Sequence, residues 1–424
     1  MSDYLFLLES RLRPDQLQAL VQVQQAAARA PAHLFLAGGA VRDLLGRLPI
    51  RDLDISVEGP ALKLVKQLDK RLFTVRSTDE QRQSAELLFG GSATLEIAMC
   101  RREEYPKLGG EPKITPSTIQ EDLRRRDFSV NAVALSLNPA SRGLLIDPTN
   151  GIADIEHQEL RTLSNYSFYD DPSRLLRLVR LATRLKYTIE ERTRSQMENA
   201  REARVEEQIP PRSLLREVQQ LAEEPDLVEA VKALAGAGLL GVFEPHLPKK
   251  LDLGALAKLE KARQVLEGAG GLRADGFGPF LQCLTRKLTA AERANLRSRL
   301  GLKGSQAKPW TELEARAKSL QKTLLSKPMA QCSRLYETLA GEDPAVALYL
   351  LAFSPLQAAR ERLKSYYTEL RPAAEAVTDA EIEKLGVTRT APQFSPLREA
   401  YLAAKLDKKI LTKEEAAKVL GAYL

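Results

Sequence analysis

The run Leu34-Phe35-Leu36-Ala37-Gly38-Gly39-Ala40-Val41-Arg42-Asp43, followed shortly by Asp52-Leu53-Asp54-Ile55-Ser56-Val57, decides how the chain is read. Four apolar residues enter a glycine pair, the pattern of a strand that ends at a tight corner before a turn or helix. Glycines at such a corner let backbone N–H groups approach an anion closely, and Arg42 can add a charge-assisted bond. Asp52 and Asp54 stand two apart on a strand-type run, so both side chains leave one face while Leu53 and Ile55 enter the core. Two carboxylates converging on one point repel each other and call for a cation. Hard oxygen ligands suit Mg²⁺, with phosphate oxygens filling its remaining positions. An Asp-x-Asp alone is usually a solvated strand face, but the glycine–arginine element just upstream reverses that reading.

Working outward, Thr94-Leu95-Glu96-Ile97-Ala98 and Leu144-Leu145-Ile146 are further runs of strand type, and Ala61 to Arg71 reads as a helix. Glu96 lies mid-strand, and pairing with an adjacent strand would bring it to the Asp52–Asp54 site. Beyond about residue 200 the chain is almost wholly helical in pattern, as in Arg212 to Glu223, Leu227 to Ala235 and Ala255 to Leu266. Breaks fall at Gly268-Ala269-Gly270-Gly271, around Lys303 to Pro309, at Gly341-Glu342-Asp343-Pro344 and across Ala391 to Pro396. No internal repeat or low-complexity tract is visible. The expected class is α+β, with a mixed-sheet N-terminal domain followed by helices.

The chain has 424 residues, enough for two to four domains at about 150 residues each. With 44% hydrophobic and 28% charged residues it can build a packed core. No apolar run reaches the roughly 18 residues a membrane span needs, and Met1-Ser2-Asp3-Tyr4 lacks a secretory layout. Three scattered cysteines, Cys100, Cys283 and Cys332, fit neither a disulfide framework nor a zinc site, so a cytoplasmic location is expected. The excess of 63 basic over 56 acidic residues permits a polyanionic partner without requiring one. Three isolated histidines, His33, His157 and His246, exclude clustered-histidine metal chemistry and HD-type phosphohydrolase sites, and argue against a Ser-His-Asp hydrolase.

Two more stretches carry charge in a pattern. Asp122-Leu123-Arg124-Arg125-Arg126-Asp127-Phe128-Ser129-Val130-Asn131 holds three consecutive arginines that cannot all find acidic partners locally, which favours a phosphate-facing role. A solvated helix end accounts for them too, Asp127 and Ser129 could be a cap, and helix and strand both remain open. Asp170-Asp171-Pro172-Ser173-Arg174-Leu175-Leu176-Arg177-Leu178-Val179-Arg180 begins a helix, with proline in the first turn and leucines on the buried stripe. Asp171, Arg174 and Arg177 then lie three apart on one face, where simple i,i+3 ion pairing is the alternative reading.

Together, GGAVRD at 38–43 with DLD at 52–54, LRRRDFSVNAVA at 123–134, LIDPTNGIADI at 145–155 and YDDPSRLLRLVRLATRL at 169–185 resemble the successive motifs of a known family. This is the bacterial tRNA nucleotidyltransferase and poly(A) polymerase family, a branch of the polymerase-β-type nucleotidyltransferases, and the chain is most similar to its CCA-adding members. The motifs stand in family order over roughly residues 30 to 200, and four coordinated motifs are far more specific than one. Ile382 to Leu420 resembles the family's tail more weakly. Ser129 stands where threonine is usual, Asp170 where a Glu-Asp pair is common, and Arg47 and Leu48 are locally shuffled.

The resemblance implies a head at 1–138, a neck that recognises the base at 139–222, a helical body at 223–330 and a tRNA-binding tail at 331–424. Asp52 and Asp54 would hold two Mg²⁺ ions for in-line displacement at the α-phosphorus of ATP or CTP, with Glu96 a candidate third carboxylate. Gly38, Gly39 and Arg42, with Asp43 beside them, would cradle the triphosphate. Arg125, Arg126, Asp127 and Asn131 would position phosphates and ribose. Asp171 and Arg174, with Arg177 and Arg180 on the same helix, would read the base. Cytosine and adenine each present a donor beside an acceptor on the Watson–Crick edge, and one fixed acceptor–donor pair complements both, whereas guanine and uracil reverse the order.

The expected partner is tRNA, through its acceptor stem and 3′ end, with Arg398, Lys405, Lys408 and Lys409 as candidate contacts, although a solvated basic face fits them equally. No membrane association and no protein partner are indicated. The alternatives are an enzyme adding only CC or only A, a poly(A) polymerase, and a degenerate RNA-binding relative without activity. Arg101 to Gln120 resembles the loop that members use in switching from C to A, which argues against CC-only addition.

Overall fold

The computed structural model describes residues 4–29, 32–90, 93–107, 110–268 and 275–408. Lys409, the far end of the expected tail motif and part of the glycine break after Gly268 lie outside the described residues.

The strand-type runs pair into a seven-stranded mixed sheet: β1 (His33–Ala37), β2 (Leu53–Glu58), β3 (Phe73–Asp79), β4 (Ser84–Phe89), β5 (Ala93–Met99), β8 (Ala134–Ser136) and β9 (Leu145–Ile146). Their order is β3-β4-β5-β2-β1-β8-β9, and within it only β2 and β5 run parallel. Between β5 and β8 an antiparallel hairpin stands apart, β6 (Arg101–Glu104) with β7 (Lys113–Pro116). This hairpin occupies the stretch expected as a loop. The alternation along β2 and β5 sets the two faces of the sheet. Leu53, Ile55 and Val57 with Leu95 and Ile97 are almost fully buried, while Asp54 and Glu96 leave the opposite face. Leu20 and Val23 of the helix Pro14–Ala27 join this buried layer.

The expected helix after Ala61 ends early, at Lys66. The Asp69 carboxylate accepts the Arg71 backbone N–H at 3.1 Å, and a side chain that bonds the backbone two residues on favours a turn over further helix. The open choice between helix and strand at the arginine run resolves as the helix Ile119–Arg124, capped by Thr118, followed by a 3₁₀ turn at Ser129–Asn131. Two short runs in the otherwise helical stretch, Glu159–Leu160 and Thr188–Ile189, make a parallel bridge.

The chain forms two compact units, Met1–Glu217 with Lys232–Val242, and Val218–Val231 with Phe243–Leu424. After β9 the regular elements of the first unit are helices apart from that pair and a single antiparallel bridge between Phe128 and Thr162, and those of the second unit are all helices among its described residues. In the second unit Val377, Ile382, Val387, Phe394 and Leu397 form one core cluster. Two of the basic residues expected on the tail are paired there: Arg398 Nε lies 3.4 Å from Asp379, and Lys405 Nζ lies 3.3 Å from Glu381. Lys408 is exposed. Among the described residues no helix is long and apolar enough to cross a membrane.

Candidate active site

β1 delivers the chain to Gly38, whose φ of +67° is a backbone conformation that glycine adopts without strain. A Cβ there would lie 2.8 Å from Arg126 Nη1 and 3.0 Å from Asp54 Oδ2. The glycine corner is therefore pressed directly onto the carboxylate of β2. The helix Gly39–Leu45 follows, and its Arg42 turns inward, only 3% exposed. Arg42 Nε donates to Asp43 at 2.8 Å and Nη1 to Asn131 Oδ1 at 2.5 Å. The sequence places Arg42 where it can add a charge-assisted bond to an anion. In the structure it offers positive charge from behind the corner, because its hydrogen bonds are spent on Asp43 and Asn131.

The parallel pairing of β2 with β5 sets Glu96 directly opposite Asp54, and the antiparallel pairing of β5 with β4 sets Glu86 opposite Glu96. Direct cross-strand neighbours are about 5 Å apart at Cβ, so three carboxylates form a row across one face. Burial, then Glu96 and then Asp52 push the Asp54 carboxyl up to about 7, against the pull of Arg126 and Arg42. Such a group lacks compensating positive charge, and with hard oxygen donors beside it the residues present fit a divalent ion of the Mg²⁺ type. Among the described residues, no three His, Cys, Asp and Glu side chains gather closely enough to hold a metal. Glu96 is instead engaged by Arg216, with Nη2 3.7 Å from Oε1.

Two arginines of the run meet an acid nearby, Arg125 and Arg126 both on Asp122, while Arg124 is exposed. Asp122, 1% exposed, accepts Arg125 Nε at 3.0 Å and Nη2 at 2.5 Å, Arg126 Nη2 at 3.1 Å and the Arg101 backbone N–H at 3.1 Å. Burial would raise the Asp122 carboxyl, but Arg125 and Arg126 hold it below the usual range. Arg125 also meets Glu103 of β6 at 3.2 Å. Burial works against that acid too, yet Arg125 and Arg101 bring it down to about 2. Asp122 stands one helical turn before Arg125 in the same stretch, whereas Glu103 lies 22 residues upstream, where local pattern gives no sign of the pairing. Arg126 keeps its place beside the site, Nη2 on Ser56 Oγ at 3.0 Å and Nε buried without a hydrogen bond.

Asp127 and Asn131 are linked to one another and outward on both sides. Asn131 Nδ2 donates to Asp127 Oδ1 at 2.9 Å, and Arg177 Nη1 donates to Asp127 Oδ2 at 3.0 Å. Despite burial, Arg177 and Asn131 bring the Asp127 carboxyl down to about 2. Glu217, 2% exposed and on the helix Pro211–Ala222, accepts Arg177 through Oε1 at 2.8 Å and Arg180 through Oε2 at 3.2 Å. A hydrogen-bonded line thus runs from Arg42 through Asn131, Asp127 and Arg177 to Glu217 and Arg180. Arg177 and Arg180 hold it in place through their ion pairs. Ser129, at the position where threonine is usual, donates to buried Asp154.

The helix Arg174–Leu185 opens on Ser173, whose backbone N–H and hydroxyl both donate to Asp171 Oδ1, at 3.1 and 2.5 Å. Arg174 donates to Ser167 Oγ at 2.8 Å and to the Arg125 carbonyl at 2.9 Å. Its Nε is buried without a hydrogen bond, 3.8 Å from Asp171 Oδ2. Buried donors are nearly always satisfied. An unsatisfied one beside a carboxylate oxygen leaves a donor and an acceptor side by side for an incoming group.

A mixed sheet with paired carboxylates behind a glycine corner, followed by an arginine-lined helix, defines a nucleotidyltransferase head of the polymerase-β type. Residues 34–161 match the family described as the poly A polymerase head domain. Around and beyond that segment the chain is similar to bacterial tRNA nucleotidyltransferases. It is 25% identical to the A-adding tRNA nucleotidyltransferase of Geobacter sulfurreducens over 394 residues, 91% of this chain and 44% of that protein. It is 37% identical to the CC-adding tRNA nucleotidyltransferase of Deinococcus radiodurans over 216 residues, 51% of this chain and 56% of that protein. The chain thus spans about half the length of the curated relatives it matches. The solved Thermotoga maritima CCA-adding enzyme complexed with tRNA superposes over 100% of this chain and 99% of its own, with a TM-score of 0.51 and 25% identity.

Proposed function

We propose that the chain is a template-independent tRNA nucleotidyltransferase that adds C and A to tRNA 3′ ends from CTP and ATP. The 3′-hydroxyl oxygen bonds to the α-phosphorus, the α–β bridging bond breaks, and pyrophosphate leaves. Asp52 and Asp54 would hold two Mg²⁺ ions, which when bound activate the hydroxyl and neutralise the leaving group. Gly38 and Gly39 keep the space beside Asp54 clear, and Arg42 and Arg126 supply positive charge behind the phosphates. Asp127 and Asn131 hold that arrangement to the neck. The division into head 1–138, neck 139–222, body 223–330 and tail 331–424 belongs to this proposal, with the helical regions holding tRNA.

The unsatisfied Arg174 Nε beside Asp171 carries the nucleotide reading. Such a pair complements cytosine and adenine alike and leaves guanine or uracil with like groups facing, a mismatch that buried polar sites reject strongly. This supports addition of the whole CCA. A second reading, addition of the terminal A alone, is favoured by the Geobacter relative, which aligns along 91% of the chain. Labelled CTP and ATP offered with tRNA ending at the discriminator base, at C or at CC separate the two. Full addition predicts incorporation on all three ends, and A-only addition predicts ATP incorporation on the CC end alone. No incorporation on any end would overturn both.

A further inference from the structure

Arg216 precedes Glu217 on the helix Pro211–Ala222 but serves a different place. Glu217 is buried against Arg177 and Arg180, whereas Arg216 is 60% exposed and reaches Glu96. One turn earlier Arg212 meets Asp79 of β3 at 2.5 Å, which ties the same helix to the sheet. Each carboxylate in the row across the sheet has an arginine near it: Arg76 lies 3.5 Å from Glu86, Arg216 3.7 Å from Glu96, and Arg126 and Arg42 act on Asp54.

These arginines differ in how easily they can leave. Arg42 is buried with two partners, and Arg126 is held by Asp122 and Ser56. An exposed pair like Arg216–Glu96 is screened by water and salt, so releasing it costs little. A guanidinium on Glu96 and a divalent ion against the same carboxylate repel one another. A nucleotide triphosphate brings several negative charges, to which an exposed arginine can transfer.

We propose that Arg216 is a positioning residue that occupies Glu96 until nucleotide arrives, so that loading of a divalent ion is coupled to nucleotide binding. This rests on the reading of the site given above. The test measures Mn²⁺ binding to the full chain without nucleotide, by electron paramagnetic resonance, for the wild type, Arg216→Ala, Arg216→Lys and Asp54→Ala. Removing one positive charge beside the carboxylates tightens Mn²⁺ binding, by about fivefold at moderate salt. The lysine variant stays near wild type, and a purely structural arginine would give no tightening. In the incorporation assay, Arg216→Ala raises KM for CTP by more than it lowers kcat. Unchanged Mn²⁺ affinity in Arg216→Ala, with binding still lost in Asp54→Ala, would overturn the role of Arg216 and leave the site reading standing. Mn²⁺ binding indifferent to Asp54→Ala as well would overturn both.

Discussion

Glu96 lies directly opposite Asp54 in the parallel pairing of β2 and β5. Burial first, and then the Glu96 charge across the pair, raise the Asp54 carboxyl from 3.8 to about 7. Below about pH 3 the group is protonated folded or unfolded. As pH rises toward 7 the unfolded chain loses the proton first, so stability falls until the folded group ionises and is level above that. Asp54→Asn is expected to be more stable than wild type at pH 8, by up to about 4 kcal/mol, and equal near pH 3. Urea unfolding at both pH values, without divalent ions, measures this. The same variant should lose nucleotide incorporation by at least about 100-fold.

Glu217 is the shared acceptor of two buried or half-buried arginines. Removing one member of such a group leaves uncompensated charge inside, which typically costs about 3 to 5 kcal/mol. Glu217→Gln is expected to lower the midpoint of urea unfolding accordingly. The triple change Arg177→Met, Arg180→Met and Glu217→Leu should recover part of that stability but not activity, because Asp127 then loses its Arg177 partner. Recovery of neither would place the effect outside this charge cluster.

Asp171 supplies the acceptor of the proposed base-reading pair, and its other oxygen is committed to Ser173. An amide at this position can turn either its oxygen or its NH₂ toward the base. Asp171→Asn is therefore expected to narrow the preference for CTP and ATP over UTP and GTP by about 10- to 100-fold. Competition assays with all four nucleotides on one tRNA read this directly, and an unaltered preference would remove Asp171 from base selection.

Gly151 begins the helix Gly151–His157, and a Cβ there would stand 2.1 Å from the Ser129 carbonyl oxygen and 2.9 Å from its carbon. Both are backbone atoms and cannot turn aside as a flexible side chain would. Gly151→Ala is expected to destabilise the first unit by about 3 kcal/mol or more. Ser129→Ala, which removes only the hydroxyl on Asp154, should cost about 1 to 2 kcal/mol. Chemical unfolding of the two variants side by side tests the order.

Local pattern alone put Asp54 on the strand face opposite Leu53 and Ile55 and the leucines of Arg174–Leu185 inside, because strand and helix periods dictate which side chains share a face; Asp52, expected on the same strand, lies just before its start at Leu53. The same alternation marked Glu96 as facing away from the core, and the glycine pair marked a corner. What those patterns could not carry was partner choice across the chain. Arg125 has Asp122 beside it on the helix, but its second acid, Glu103, reaches it only through the fold. Arg42 and Arg177 look available until Asn131 and Glu217 occupy them. Hydrogen bonds and ion pairs form between groups separated by tens of residues, and chain order holds no record of which acid a given arginine meets. Backbone periodicity is local and readable in the sequence; the pairing of charges was decided only when the sheet and the helix Pro211–Ala222 came together around them.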